Sequence, residues 1–146
     1  MIDTKILTLG LFSCLFLGCA PPPLEDVSNS REYSGVIGRK IRAKDELLAI
    51  GVTLDKNYKK KADYVLITPR PGFSGPEVVF TGKVSKGSEF RIAGVVKYGY
   101  FFLYEVHYVV EALDASAGAA PFHVKKSGTP DDPNLGLEKA LFEKLT

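Results

Sequence analysis

The chain is 146 residues long, 45% hydrophobic and 25% charged, an ordinary globular balance that excludes disorder throughout and suits one packed domain. The net charge is only +2, and acids such as Asp45, Glu46, Asp55 and Asp63 are interspersed with the bases, which excludes the strongly basic face of a nucleic-acid binder. The two cysteines, Cys14 and Cys19, both fall in or beside the first apolar stretch, so the rest of the chain must be stable without a disulfide.

From Ile6 to Ala20 no residue is charged. As a helix that run spans about 22 Å, short of the roughly 30 Å hydrocarbon core of a bilayer, and it fits the apolar region of an export signal better than a permanent span. It ends in Phe16-Leu17-Gly18-Cys19. This tetrapeptide resembles the lipobox of bacterial lipoproteins, in which a small residue precedes the cysteine. Gly18 meets that requirement, whereas Phe16 stands where the class prefers leucine. The resemblance covers the first 20 or so residues and implies a signal peptide over 1–18, cleavage before Cys19 and a diacylglycerol on its thiol, often with an acylated amine as well. It also implies attachment to a membrane through that lipid. Within the Gram-negative class, Ala20 after the cysteine implies sorting to the outer membrane, facing the periplasm; a Gram-positive source would void that step. Cys14 is a second match, but cleavage there would expose Leu15-Phe16-Leu17 on the mature chain.

Residues 19–33 begin with Pro21-Pro22-Pro23, which favours extended polyproline geometry, and continue with a polar stretch that has little to bury. They are expected to form a flexible tether ahead of a single domain over 34–146. Val36–Arg42 and Ala49–Leu54 are candidate strands, followed by shorter ones at Ala62–Thr68 and Glu77–Thr81. Lys86-Gly87-Ser88 marks a turn. Glu89–Lys97 places Phe90, Ile92 and Val96 on one parity. From Tyr100 to Leu113 the even positions Tyr100, Phe102, Tyr104, Val106, Tyr108, Val110 and Ala112 make an apolar row, with Glu105, His107 and Glu111 among the odd ones. That period of two, carried by aromatic and β-branched residues, predicts a strand with one face in a core. Tyr98-Gly99 supplies turn chemistry between the two long strands. Asp132 and Pro133 then read as the start of an amphipathic helix over 133–145, with Leu137, Leu141 and Leu145 on its apolar side. The expected fold class is mainly β: a small SH3-like or OB-like β-barrel with a short C-terminal helix.

Chemistry is sparse. There is no Gly-x-Ser-x-Gly elbow and no P-loop, and the only histidines are His107 and His123, without the paired spacing of a zinc site. Side chains two apart on a strand share a face, so Glu105, His107 and Glu111 line up, an arrangement commoner on a solvated strand than at a metal. No catalytic residue, metal or cofactor is assigned. The loop Pro71-Gly72-Phe73-Ser74-Gly75-Pro76 is mainly a rigid turn, but it brings Arg70 and Phe73 together as a candidate contact site. Lys59-Lys60-Lys61 is the basic run, a solvated loop or a contact for anionic lipid heads or cell-wall polymers. The expected function is therefore non-enzymatic: a lipid-anchored accessory lipoprotein that docks on another envelope component, a protein or a cell-wall polymer, through its loops. The alternative is a barrel that binds a small ligand or glycan, or inhibits an enzyme, with a pocket among Tyr98, Tyr100, Tyr104 and Tyr108.

Overall fold

The computed structural model describes residues 24–58, 60–100, 103–114 and 120–146; the leader, Cys14, Cys19, the proline run, Lys59 and Phe102 lie outside them. The described chain is mainly β. Its strands are β1 (Leu24–Asp26), β2 (Lys40–Ala43), β3 (Leu47–Val52), β4 (Tyr64–Thr68), β5 (Val78–Val84), β6 (Glu89–Tyr100), β7 (Leu103–Ala112), β8 (Phe122–Lys125) and β9 (Phe142–Lys144), with a 3-10 turn at Arg31–Tyr33. They make one sheet in the order β5-β3-β4-β8-β7-β6-β2-β9, and β1 adds to β6. The β4–β8 pair is parallel. The path of paired strands is open, ending at β5 and β9, so these pairings do not close a barrel.

The β6–β7 hairpin follows from its alternation of β-branched and aromatic residues. Phe90 faces Ala112 at its open end and Tyr100 faces Leu103 at its closed end, with a register slip between Ile92 and Gly94. Gly99 is a strand residue paired with Tyr104, one step before the turn. Its φ is +133° and a Cβ there would run into the Leu103 carbonyl, so a side chain does not fit.

The sheet is apolar on both faces. Ile41, Leu47, Phe90, Ile92, Val95, Tyr108 and Val110 belong to the main core, while Ile50, Val52 and Tyr64 form a second cluster on the opposite face of β3 and β4. β3 is therefore buried on both sides, which explains its near-continuous apolar sequence Leu47-Leu48-Ala49-Ile50-Gly51-Val52. The Arg70–Glu77 loop helps cover the second cluster. At Gly72, φ +73°, the backbone lies so close to Leu48 and Ile50 that a Cβ would come within 2.9 Å of each side chain.

Two expectations give way. Residues 24–33, the last ten of the fifteen assigned to a free tether, are laid onto the domain: β1 pairs Leu24 with Tyr98, Ser28 accepts a 2.8 Å hydrogen bond from the Val95 amide, and Tyr33 is buried in the core. The C-terminal helix is absent. Leu135 and Gly136 adopt positive φ of 59° and 71°, which ends any helix. Asn134 satisfies the loop's backbone instead, donating to the carbonyls of Leu137 and Phe142 and accepting from the Lys144 amide. Leu135, Leu137 and Phe142 are thereby buried, and β9 pairs with β2. The Tyr108 hydroxyl fastens this loop to the sheet by donating to the Leu135 carbonyl at 2.6 Å. Among the described residues no helix is long and apolar enough to cross a membrane.

Candidate functional site

A cavity of about 630 Å³ opens where the free edge strand β5 faces the open end of the β6–β7 hairpin. Its volume falls in the roughly 300–1,000 Å³ range of small-molecule sites. Alternate residues of a strand share a face, so β5 contributes Phe80, Gly82 and Val84 to one wall. Phe90, Ala112 and Phe122, from β6, β7 and β8, form the other, with Ala49 and Val65 on the strands between. Small residues leave the space: a Cβ added at Gly82 would meet nothing closer than Ala49 at 3.9 Å. Phe80 lies flat over Gly51, where there is no room for a Cβ, and keeps 46% of its surface exposed. Phe90 and Phe122 touch edge to face with ring centres 6.3 Å apart.

The polar lining groups are few. Lys60 and Lys61 supply positive charge, Asp114 is the acid among the described lining residues, Ser85 and Ser88 come from the β5–β6 turn, and Lys83 borders the cavity with its backbone while its side chain takes the other parity of β5. Lys83 also lies 3.4 Å from Glu46. Among the described residues no carboxylate pair, thiol or imidazole lines the cavity.

The titratable cluster lies elsewhere, on the face that carries Tyr64. His107 of β7 and His123 of β8 are 2% and 3% exposed, with ring centres 5.6 Å apart. Tyr64 stacks on His123 at 4.5 Å and Tyr98 stacks on His107 at 6.3 Å. Neither Nδ1 has a hydrogen-bond partner. Burial pushes His123 down to about 4; burial also lowers His107, against the raising influence of Glu105, whose carboxylate lies 3.3 Å from Nε2. Burial opposes ionisation of Glu105, but hydrogen bonds from Lys125 and His107 hold its carboxyl below the ordinary range. Two neutral imidazoles wrapped in tyrosines are the result. Among the described residues no group of three or more His, Cys, Asp or Glu side chains could hold a metal ion.

The residues singled out from the sequence are scattered. Cys19 lies outside the described residues. Arg70 forms an ion pair with Glu46 at 2.5 Å, and Phe73 is 39% exposed. Glu105 does meet His107, but Glu111 pairs with Arg91 across the hairpin at 2.6 Å instead. The tyrosines expected to line a pocket part company: Tyr108 is in the core, Tyr98 is in the imidazole cluster, and the Tyr104 ring lies under the Lys97 ammonium at 4.0 Å. The Tyr100 side chain lies outside the described part of the molecule. Sequence reasoning missed the cavity, whose one signal is small residues at inward parities, such as Ala49 and Gly82. It also missed His123 as the neighbour of His107, because that contact depends on β8 pairing with β7.

No family model matches the chain, no curated protein sequence matches it, and no solved structure matches it.

Proposed function

We propose that the chain is a lipid-anchored envelope protein, held to the outer membrane through Cys19, that binds a small apolar ligand in its cavity and catalyses no reaction. One observation supports the binding half: an apolar hollow of about 630 Å³ kept open by small residues between β5 and the β6–β7 hairpin. Tight packing is the rule in protein interiors, so a hollow of this size marks a place for another molecule. The anchor half rests on the lipobox-like Phe16-Leu17-Gly18-Cys19 after an uncharged run. We read the coiled open sheet as barrel-like, SH3-like before OB-like, with the cavity at its gap. In support, the Gly87 amide donates to the Ala43 carbonyl and the Ala43 amide to the Ser88 carbonyl, drawing the β5–β6 turn against the end of β2.

Native mass spectrometry of protein purified from envelopes, without added detergent, tests binding. An adduct that disappears on denaturation supports the reading, and a bare chain from every preparation overturns it. Intact mass under denaturing conditions tests the anchor separately: cleavage before Cys19 with added acyl mass is expected, and a retained leader or a bare thiol refutes it.

Docking on another envelope component is the second reading. Phe73, displayed on a loop pinned at Gly72, favours it.

A further inference from the structure

The cavity mouth joins two features that are separate in the sequence. Lys60 and Lys61, two members of the basic run, line the hollow walled by β5 and the hairpin, whereas the Lys83 side chain, on the other parity of β5, turns to the opposite face. Among the described residues the lining therefore carries two cations against one acid, Asp114, while its walls are phenylalanine, valine, alanine and glycine. Lys60 and Lys61 are exposed, and Lys83 shares its charge with Glu46 at 3.4 Å. An apolar recess bordered by excess positive charge is complementary to one kind of molecule, with a greasy body and a negatively charged head. A neutral hydrocarbon would leave the lysines without a counter-charge, and a small hydrophilic anion would leave the walls wet.

We propose that the ligand is a free anionic amphiphile, its apolar part between Phe80, Phe90 and Phe122 and its head group at Lys60 and Lys61. This rests on the reading of the cavity as a ligand site and adds the ligand's chemical class. The phenylalanines supply burial, which is proportional to the apolar area removed from water. The ammonium groups supply a partly solvated attraction that discriminates by charge sign. A charged head stays in water at the mouth, so the site does not have to desolvate it fully.

Calorimetric titration with dodecanoate, and with dodecanol as its uncharged counterpart, tests the proposal. Dodecanoate is expected to bind about tenfold more tightly, the effect of two partly screened ion pairs. Substituting Lys60→Gln and Lys61→Gln together should reduce that preference to less than about twofold, whereas Lys83→Gln should leave it unchanged. Gly82→Phe, which fills the hollow from an open position, should abolish binding of both probes while the fold, checked by circular dichroism, is retained. If dodecanol binds as tightly as dodecanoate and Gly82→Phe abolishes both, the cavity remains a ligand site and the anionic class is wrong. If neither probe binds, or Gly82→Phe changes nothing, the cavity reading itself fails. A third arm uses phosphatidylglycerol vesicles: lysine-dependent sedimentation that persists in Gly82→Phe would assign these lysines to a membrane surface and overturn the proposal.

Discussion

The cavity and the histidine cluster pose opposite packing problems. At the cavity, apolar side chains line a space that no atom of the described protein fills. At the cluster the space is filled, and two imidazole nitrogens lack partners. The first region forgoes dispersion and burial in order to stay hollow, and a ligand would restore both. The second forgoes hydrogen bonds, and it is kept neutral by the same burial that removes them. The hollow is the site of the proposed ligand, whereas a crowded neutral pair makes stability depend on acidity.

The largest expected effect tests whether the cavity wall is firm. Phe90→Ala should cost about 3–5 kcal/mol in urea unfolding, because Phe90 is buried and bridges the main core and the hollow. A cost below about 1 kcal/mol would show that the wall collapses, and the contrast with the cluster would vanish.

Acidity comes next. His123 titrates near 4 in the folded chain and near its ordinary value of 6.5 when unfolded, so the unfolded chain takes up the proton first. Its contribution is complete above pH 6.5 and is lost as the pH falls from 6.5 toward 4, for about 3 kcal/mol in all. His107 shifts the same way, with Glu105 and Lys125 facing it from β7 and β8. Urea midpoints at pH 7.5 and pH 4.5 measure the loss, and His123→Phe should remove most of it. An unchanged pH dependence in that variant would move its origin to other groups.

The smallest effect sharpens the cavity side. Gly82→Phe should change stability by less than about 1 kcal/mol, since new burial offsets the ordering of the ring and no backbone clash arises. A loss above about 3 kcal/mol would mean that the space is not open to that ring.

Much of the sheet was legible in the sequence, because a strand with one wet face writes its period directly. Val106, Tyr108 and Val110 of β7 are buried as the even row predicts. The same period misleads at His107, which lies on the opposite parity yet is buried under aromatic rings from neighbouring strands. The C-terminal leucines mimic helical spacing, but the local choice was made by Asn134 and by positive φ at Leu135 and Gly136. Nor could the cavity be read beforehand: Ala49, Gly82, Ala112 and Phe122 come from four strands whose pairing is non-local. The partner of Arg70 was not legible either, because Glu46 lies 24 residues away in sequence.

The docking of β1 also alters how far the domain can stand from its proposed anchor. Only residues 20–23 intervene between Cys19 and Leu24, a reach of at most about 18 Å even when fully stretched. From the Tyr98 position that β1 grips, the hairpin carries Phe90 up to roughly 26 Å farther along β6. On that anchored reading the hairpin, rather than a long free tether, carries the cavity away from the attachment point.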